Sequence, residues 1–273
     1  MEYESIIRLT SFFGIFILMA SWEVMAPRRL LSTSKPKRWF ANFGIVFLNT
    51  LVIRVLFSTA AVGAAFVAGQ KGWGVLNVLE WPTWVVVVVA VVTLDFVIYL
   101  QHVMFHAVPL LWRLHMVHHA DLDVDVTTGA RFHPIEVTLS MVIKLAVVVL
   151  IGASPWSVLI FEVLLNATSM FNHSNVRIPE RFDWFLRWLV VTPDMHRIHH
   201  SVIREETNSN FGFNLPWWDR LLGTYRPDPA KGQTGMTIGL DQFRNPDHLT
   251  LLWILALPFV GGTGNYPLNR GER

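Results

Sequence analysis

The chain has 273 residues, of which 52% are hydrophobic and only 15% are charged, whereas about a quarter of residues are charged in ordinary soluble domains. This composition predicts a membrane protein, and a net charge of +2 without a dense basic stripe argues against a nucleic-acid partner. The chain contains no cysteine, which excludes disulfides, thiolate zinc sites, iron–sulfur clusters and cysteine nucleophiles. Any bound metal must therefore have nitrogen or oxygen ligands.

The first two apolar segments cover about residues 6–26 and 43–68, and each is long enough to span a bilayer. The first lacks the basic start and the cleavage site of a secretory signal. A strongly basic connection, residues 27–38, separates the two segments. The positive-inside rule predicts that this connection is cytoplasmic, that the amino terminus lies outside, and that the second segment returns the chain to the outer face.

A third predicted span starts at Pro82 and carries Asp95 near its inner end. On a helix, Asp95, Tyr99, His102 and His106 share one stripe, since offsets of four, seven and eleven residues return near the starting direction. An intramembrane acid is costly and is usually functional. Asp95 either reaches to the interface or, as we predict, accepts a hydrogen bond that orients a metal-ligating imidazole.

The apolar stretch 135–171 is interrupted by Gly152–Pro155, which predicts either a hairpin of two spans or a shallower re-entrant pair. Both alternatives return His173 to the side of His102. Aromatic and basic residues over 181–189 indicate an amphipathic surface helix, and Thr192-Pro193-Asp194 predicts the start of a helix. We expect residues 207–225 to form a surface cap and residues 249–260 to be interfacial. We therefore predict one all-α domain, 1–273, with four to five transmembrane or re-entrant helices and a cytoplasmic helical cap.

Ten of the eleven histidines lie between positions 102 and 200. Eight form three boxes, namely His102 and His106, then His115, His118 and His119, then His196, His199 and His200, and His133 and His173 stand alone between them. A single zinc site uses three or four protein ligands, so ten imidazoles favour two metals over one zinc ion or an incidental cluster. Imidazole accepts zinc, copper, iron and nickel, so the ligand type alone does not choose the metal.

Other chemistries lack their motifs. The sequence has no His-Glu-x-x-His zinc-protease helix and no Gly-x-Ser-x-Gly nucleophile elbow. It also has no glycine-rich phosphate loop or dinucleotide fingerprint, so flavin, nicotinamide and ATP sites are not expected.

The three boxes in this order resemble the fatty acid hydroxylase superfamily, the membrane group that includes sterol desaturases and lipid hydroxylases. The resemblance covers about residues 95–225, and its further phrases are RFHPIE at 131–136, FNHSN at 171–175 and NFGF with WWDR at 210–220. These phrases are similar to the bacterial sterol-desaturase-like branch. The resemblance implies a cytoplasmic, non-haem di-iron centre that uses O2 to hydroxylate or desaturate a lipid.

By this resemblance the eight boxed histidines are metal ligands. His173 is expected to join them, and either His133 completes the set or one metal has fewer protein ligands. Relatives that act on sphingolipids often have a second histidine four residues after His173, where this chain has Arg177. The implied cofactors are two iron ions, for which zinc can substitute in a purified sample, and electrons are expected from a separate donor. The alternatives are a non-redox membrane zinc protein, either a hydrolase or a metal-handling protein, and a structural membrane protein with a vestigial site.

Overall fold

A computed structural model describes residues 3–57 and 60–269, and within those ranges the chain is helical without a β-strand. The all-α architecture predicted from the sequence is confirmed. The helices are α1 (Glu4–Met25), α2 (Lys35–Leu56), α3 (Ala60–Lys71), α4 (Thr83–Ala107), α5 (Pro109–His119), α6 (Pro134–Ile151), α7 (Pro155–Asn172), α8 (Glu180–Leu186), α9 (Pro193–His199), α10 (Arg204–Thr207), α11 (Trp217–Leu222), α12 (Gly232–Gly235) and α13 (Leu251–Ala256).

Four helical stretches are long and apolar enough to cross a membrane: Glu4–Met25, Lys35–Lys71, Thr83–Ala107 and Pro134–Ile151. Between 6% and 25% of each stretch is buried inside the protein, so most of their apolar side chains remain at least partly accessible, which is the arrangement of helices that contact lipid. The three predicted spans are found, although the second begins at Lys35 rather than near residue 43. Residues 58 and 59, inside that span, lie outside the described part of the chain.

The turn between α6 and α7 explains why the stretch 135–171 folds back on itself. Gly152 ends α6 in the left-handed conformation, with φ of 72°, and the Ser154 hydroxyl accepts a hydrogen bond from the Ser157 N–H at the start of α7. The two helices form a hairpin with 18 residues in each arm, of which α6 alone qualifies as a span by length and composition. Small side chains of α3, Ala61 and Ala65, pack into the core beside this hairpin.

One end of the bundle gathers the ends of five helices. There α1, α4 and α7 terminate and α2 and α6 begin, while α5, α8, α9, α10 and α11 form a cap of short helices. A backbone hydrogen bond from the Arg177 N–H to the Ala26 carbonyl joins the ends of α7 and α1. Arg38, near the start of α2, is fully buried and contacts both Asp121 and Asp125. These contacts close the cap over the helix ends.

Two predicted surface elements differ in their packing. The aromatic residues of α8, Phe182, Trp184 and Phe185, are more than half exposed, as an interfacial helix requires. In contrast, α13 buries Ile254 in a cluster with Ile45 and Trp112, which belong to α2 and α5. The segment 249–260 therefore packs against the bundle instead of only covering its surface.

Candidate metal centre

Four parts of the chain deliver imidazoles to the capped end. His102 and His106 lie one turn apart near the end of α4, and the turn at Val108–Pro109 starts α5, which carries the second box. His173 is the first residue after α7. The third box follows the helix start predicted at Thr192, whose hydroxyl accepts a hydrogen bond from the Met195 N–H, so the α9 start is confirmed.

Nine of the ten candidate histidines form two adjacent groups, and each group could hold one metal ion. In each group the candidate ligand atoms lie within 4.8 Å of one another. The two groups lie side by side, since the ring centroids of His119 and His200 are 4.7 Å apart. The five-histidine group comprises His102, His106, His115, His119 and His199, and the four-histidine group comprises His118, His173, His196 and His200.

The hydrogen bonds around His102 and His115 show that their facing nitrogens carry lone pairs. His102 donates from Nδ1 to the Phe211 carbonyl at 2.7 Å, and His115 donates from Nδ1 to the Glu136 carboxylate at 2.6 Å. A neutral imidazole has one N–H, so Nε2 of each ring is unprotonated. These two Nε2 atoms are 3.1 Å apart, a distance at which two lone pairs repel unless a cation lies between them.

That separation fits a shared metal ion. Two ligands at right angles, each about 2.1 Å from a metal, are about 3 Å from each other. In the four-histidine group, Nε2 of His173 is 3.1 Å from Nε2 of both His118 and His196. The Nδ1 of His173 donates to the Ser169 carbonyl, so its Nε2 carries only a lone pair. The donor sets of both groups therefore fit imidazole-bound metal ions.

Burial keeps the cap imidazoles neutral, as metal ligation requires. Burial lowers the pKa of His115 and of His173 from 6.5 to about 3. It also lowers the pKa values of His118, His119 and His200, and neighbouring imidazoles lower them further. Within the described residues, several buried ring nitrogens have no hydrogen-bond partner, namely Nδ1 of His118, His119, His196 and His200, and Nε2 of His199 and His200.

Oxygen atoms accept hydrogen bonds from Nδ1 of four of the five imidazoles in the five-histidine group and so orient these rings. Besides the Phe211 carbonyl and Glu136, Asn208 Oδ1 accepts from His106 and the Ser209 carbonyl accepts from His199. Sequence reasoning did not identify Glu136 or the segment 208–211 as partners of the histidines. Glu136 could have been recognised as an acid in the first turn of an apolar span, three residues after His133.

His133 lies outside both groups. Its Nδ1 accepts a hydrogen bond from the Ile135 N–H at the start of α6, and its Nε2 donates to the Leu255 carbonyl at 3.3 Å. Both ring nitrogens are therefore engaged, and the side chain caps a helix. His173, the other isolated histidine, is inside the four-histidine group.

Asp95 faces the cap, although its contacts are not with an imidazole. Its Oδ2 accepts hydrogen bonds from the Trp218 indole at 2.8 Å and from the Leu215 N–H at 3.3 Å. Asp95 thus ties α4 to the segment before and within α11. The carboxylate that contacts a cluster imidazole among the described residues is Glu136.

Aromatic rings pack around the histidines and help to bury them. Phe132 stacks on His118 with ring centroids 4.4 Å apart, and Phe211 lies 5.0 Å from His106. Trp112 also contacts His106, and Phe213 contacts His102. All nine clustered imidazoles are at most 3% exposed, so the arrangement is a dry, polar centre suited to metal-dependent chemistry.

The chain belongs to the fatty acid hydroxylase family, whose model matches residues 87–224. Members of this family are non-haem iron enzymes, and the resemblance inferred from the histidine boxes is confirmed. The match covers most of α4, both histidine groups and α11.

Three curated proteins illustrate the similarity. The ornithine lipid hydroxylase OlsE of Rhizobium tropici is 32% identical over 160 residues, which is 58% of this chain and 47% of that protein. The alkylglycerol monooxygenase of Xenopus tropicalis is 26% identical over 226 residues, 78% of this chain and 48% of that protein. The cholesterol 25-hydroxylase of Rattus norvegicus is 27% identical over 146 residues, 52% of this chain and 47% of that protein. The chain thus spans about half the length of these relatives. No solved structure gives a significant match.

Proposed function

We propose that this protein is a membrane-bound, O2-dependent lipid hydroxylase with two iron ions. The observation that carries the proposal is the pair of adjacent buried groups in which unprotonated imidazole nitrogens converge. The five-histidine group would hold one ion and the four-histidine group the other. Two redox-active ions held close together supply the oxidising power that an unactivated C–H bond requires.

The chain's own residues prepare the site. Glu136, Asn208 and the carbonyls of Ser169, Ser209 and Phe211 hold the Nδ1 protons, so that the opposite nitrogens remain available as ligands. The surrounding Phe and Trp rings exclude water from the centre. In the net reaction one oxygen atom enters the C–H bond and the other leaves as water, with two electrons and two protons from a separate donor.

A lipid substrate is supported by the membrane setting and by the relatives. Four helical stretches are long and apolar enough to cross a membrane, and similar proteins are named for ornithine lipid, alkylglycerol and cholesterol. Chain burial would provide much of the binding free energy, at about 0.8 kcal/mol per methylene. Because these relatives are hydroxylases and monooxygenases, we favour hydroxylation over desaturation.

We also propose that the metal centre lies on the cytoplasmic side. The basic connection between α1 and α2 is at the same end of the bundle as the histidines, since Arg28 contacts Asp194 and Arg38 contacts Asp121. Lys/Arg-rich short loops remain in the cytoplasm. Reactivity of a cysteine introduced in place of partly exposed Lys37, in intact and in opened cells, tests this orientation.

Anaerobic reconstitution of the detergent-solubilised protein with Fe²⁺ tests the main proposal. We expect close to two irons per chain, and O2 consumption with a membrane lipid extract that yields products one oxygen atom heavier by mass spectrometry. His118→Ala and His199→Ala should abolish the activity and reduce the iron content, whereas His248→Ala, outside both groups, should retain both. Full activity with zinc in the absence of O2 would instead select the hydrolase alternative.

A further inference from the structure

One short loop, residues 208–211, provides the hydrogen-bond acceptors for three imidazoles of the five-histidine group. Asn208 Oδ1 is 3.0 Å from His106 Nδ1, the Ser209 carbonyl is 2.8 Å from His199 Nδ1, and the Phe211 carbonyl is 2.7 Å from His102 Nδ1. These histidines come from α4 and α9. The position of this loop therefore sets the direction of imidazoles that belong to two separate helices.

Asp219 of α11 fixes the end of the loop by accepting hydrogen bonds from its backbone. Its Oδ1 accepts hydrogen bonds from the Phe211 N–H at 2.7 Å and from the Thr224 hydroxyl at 2.7 Å, and its Oδ2 accepts from the Gly212 N–H at 2.8 Å. Asp219 is fully buried, so these donors are what satisfies its carboxylate. The close approach depends on Gly212, because a Cβ there would lie 2.8 Å from Asp219 Oδ2 and 2.9 Å from the Leu215 carbonyl.

Asn210 fixes the middle of the loop. It is one of two non-glycine residues with positive φ in the described chain, with φ of 53°. Its side chain donates to the carbonyls of Met195 and Arg226 and accepts from the Arg226 N–H. The contact with Met195 ties the loop to α9, so the loop, α9 and α11 form one hydrogen-bonded unit.

The two histidine groups differ in how many of their imidazoles have an oxygen acceptor at Nδ1. Four of the five imidazoles in the five-histidine group have an oxygen acceptor at Nδ1. In the four-histidine group, His173 has such an acceptor and His196 interacts with the Asn210 backbone, whereas Nδ1 of His118 and His200 has no partner among the described residues. Removing an acceptor behind a ligating histidine commonly weakens metal binding by about 10- to 100-fold.

We propose that Asp219 is a positioning residue that acts selectively on the five-histidine group, through the loop 208–211, and that this group binds its metal more tightly than the four-histidine group. The proposal rests on the two-metal assignment made above. The Asp219 carboxylate contacts the backbone N–H groups of Phe211 and Gly212 rather than a histidine, and it acts by fixing the carbonyl of Phe211 against His102. In Asp219→Asn an amide NH2 replaces one carboxylate oxygen, so one of the two backbone N–H groups loses its acceptor.

The test measures metal affinity without turnover. Protein in detergent is loaded with Zn²⁺, titrated with a competing chelator and assayed for bound metal per chain. In the parent protein we expect two stages of release, the tighter one from the five-histidine group. In a background with both His196→Ala and His200→Ala, the remaining metal reports on the five-histidine group. There Asp219→Asn should weaken binding by about 10- to 100-fold, while the exposed control Asp228→Asn should leave it unchanged.

The reciprocal background, His102→Ala with His106→Ala, isolates the four-histidine group, and Asp219→Asn should leave its affinity unchanged. If Asp219→Asn lowers the metal affinity of both groups equally, or of neither group, the inference is overturned while the two-metal proposal stands. Failure of the parent protein to bind two metals would instead overturn the proposed function. If Asp219→Asn does not fold, Thr224→Val, which removes one donor to the carboxylate, gives the same comparison. A loss of metal affinity confined to the five-histidine background separates positioning from a general structural role, which would weaken both backgrounds alike.

Discussion

Glu136 Oε1 lies 2.6 Å from His115 Nδ1, and this contact joins the start of α6 to the second histidine box on α5. The carboxylate makes the imidazole a better electron donor to a metal and holds the ring in a single orientation. The pair is buried, with 5% of the Glu136 side chain exposed. A membrane span thus supplies the carboxyl partner of a cap histidine.

Glu136→Ala should lower metal affinity and lipid-dependent O2 consumption by about 10- to 100-fold, because His115 loses its acceptor. Glu136→Gln should have a smaller effect, since an amide oxygen can still accept the Nδ1 proton. Metal content after dialysis and the initial rate of O2 consumption measure both effects. The exposed Glu205→Gln serves as the matched control. Parent-like metal affinity in Glu136→Ala would contradict this role.

Arg38→Ala should destabilise the fold by about 3–5 kcal/mol, the cost of leaving buried charges without their partner. The Arg38 guanidinium donates to Asp121 at 2.6 and 2.8 Å, to Asp125 at 2.7 Å and to the Thr128 hydroxyl at 3.1 Å. A fall in the thermal midpoint of unfolding in detergent measures the effect. Adding Asp121→Asn to Arg38→Ala should recover part of the loss, because one unpaired carboxylate is then neutral. Lys37→Ala, which removes a partly exposed lysine whose partner Asp247 is exposed, is the control.

The sequence predicts the clustered histidines better than it predicts the oxygen atoms that accept their Nδ1 protons. Spacings of three and four residues put imidazoles on one helix face, so local periodicity was enough to identify the boxed histidines. Glu136 and the loop 208–211 meet those histidines through contacts across 10 to 109 positions, which helical spacing does not encode. Asp95 shares the stripe of His102 but lies about 10 Å further along the helix at 1.5 Å per residue, and there it meets Trp218.

Gly74→Ala should strongly destabilise the protein. Gly74 has φ of 89°, and a Cβ at this position would lie 2.1 Å from the Gly152 nitrogen and 2.6 Å from the Val149 carbonyl, so that backbone must move. The turn before α4 would then lose its contact with the α6–α7 turn. Thermal unfolding and expression yield measure the effect. Gly69→Ala, where nothing lies within 4 Å of the added Cβ, should be tolerated; equal behaviour of the two variants would argue against the contact.

The metal-free protein should lose stability as the pH falls from about 6.5 toward 3. Burial lowers the pKa of His115 and His173 from 6.5 to about 3, so within this window the unfolded chain binds more protons than the folded chain. Their contribution is fully present above pH 6.5 and is lost progressively as the pH approaches 3. Bound metal opposes protonation and should shift the loss to lower pH. Thermal unfolding between pH 7.5 and 4.5, with chelator-treated and zinc-loaded protein side by side, measures both effects. A midpoint that stays constant over this range in the metal-free protein would show that the imidazoles are not held neutral by burial.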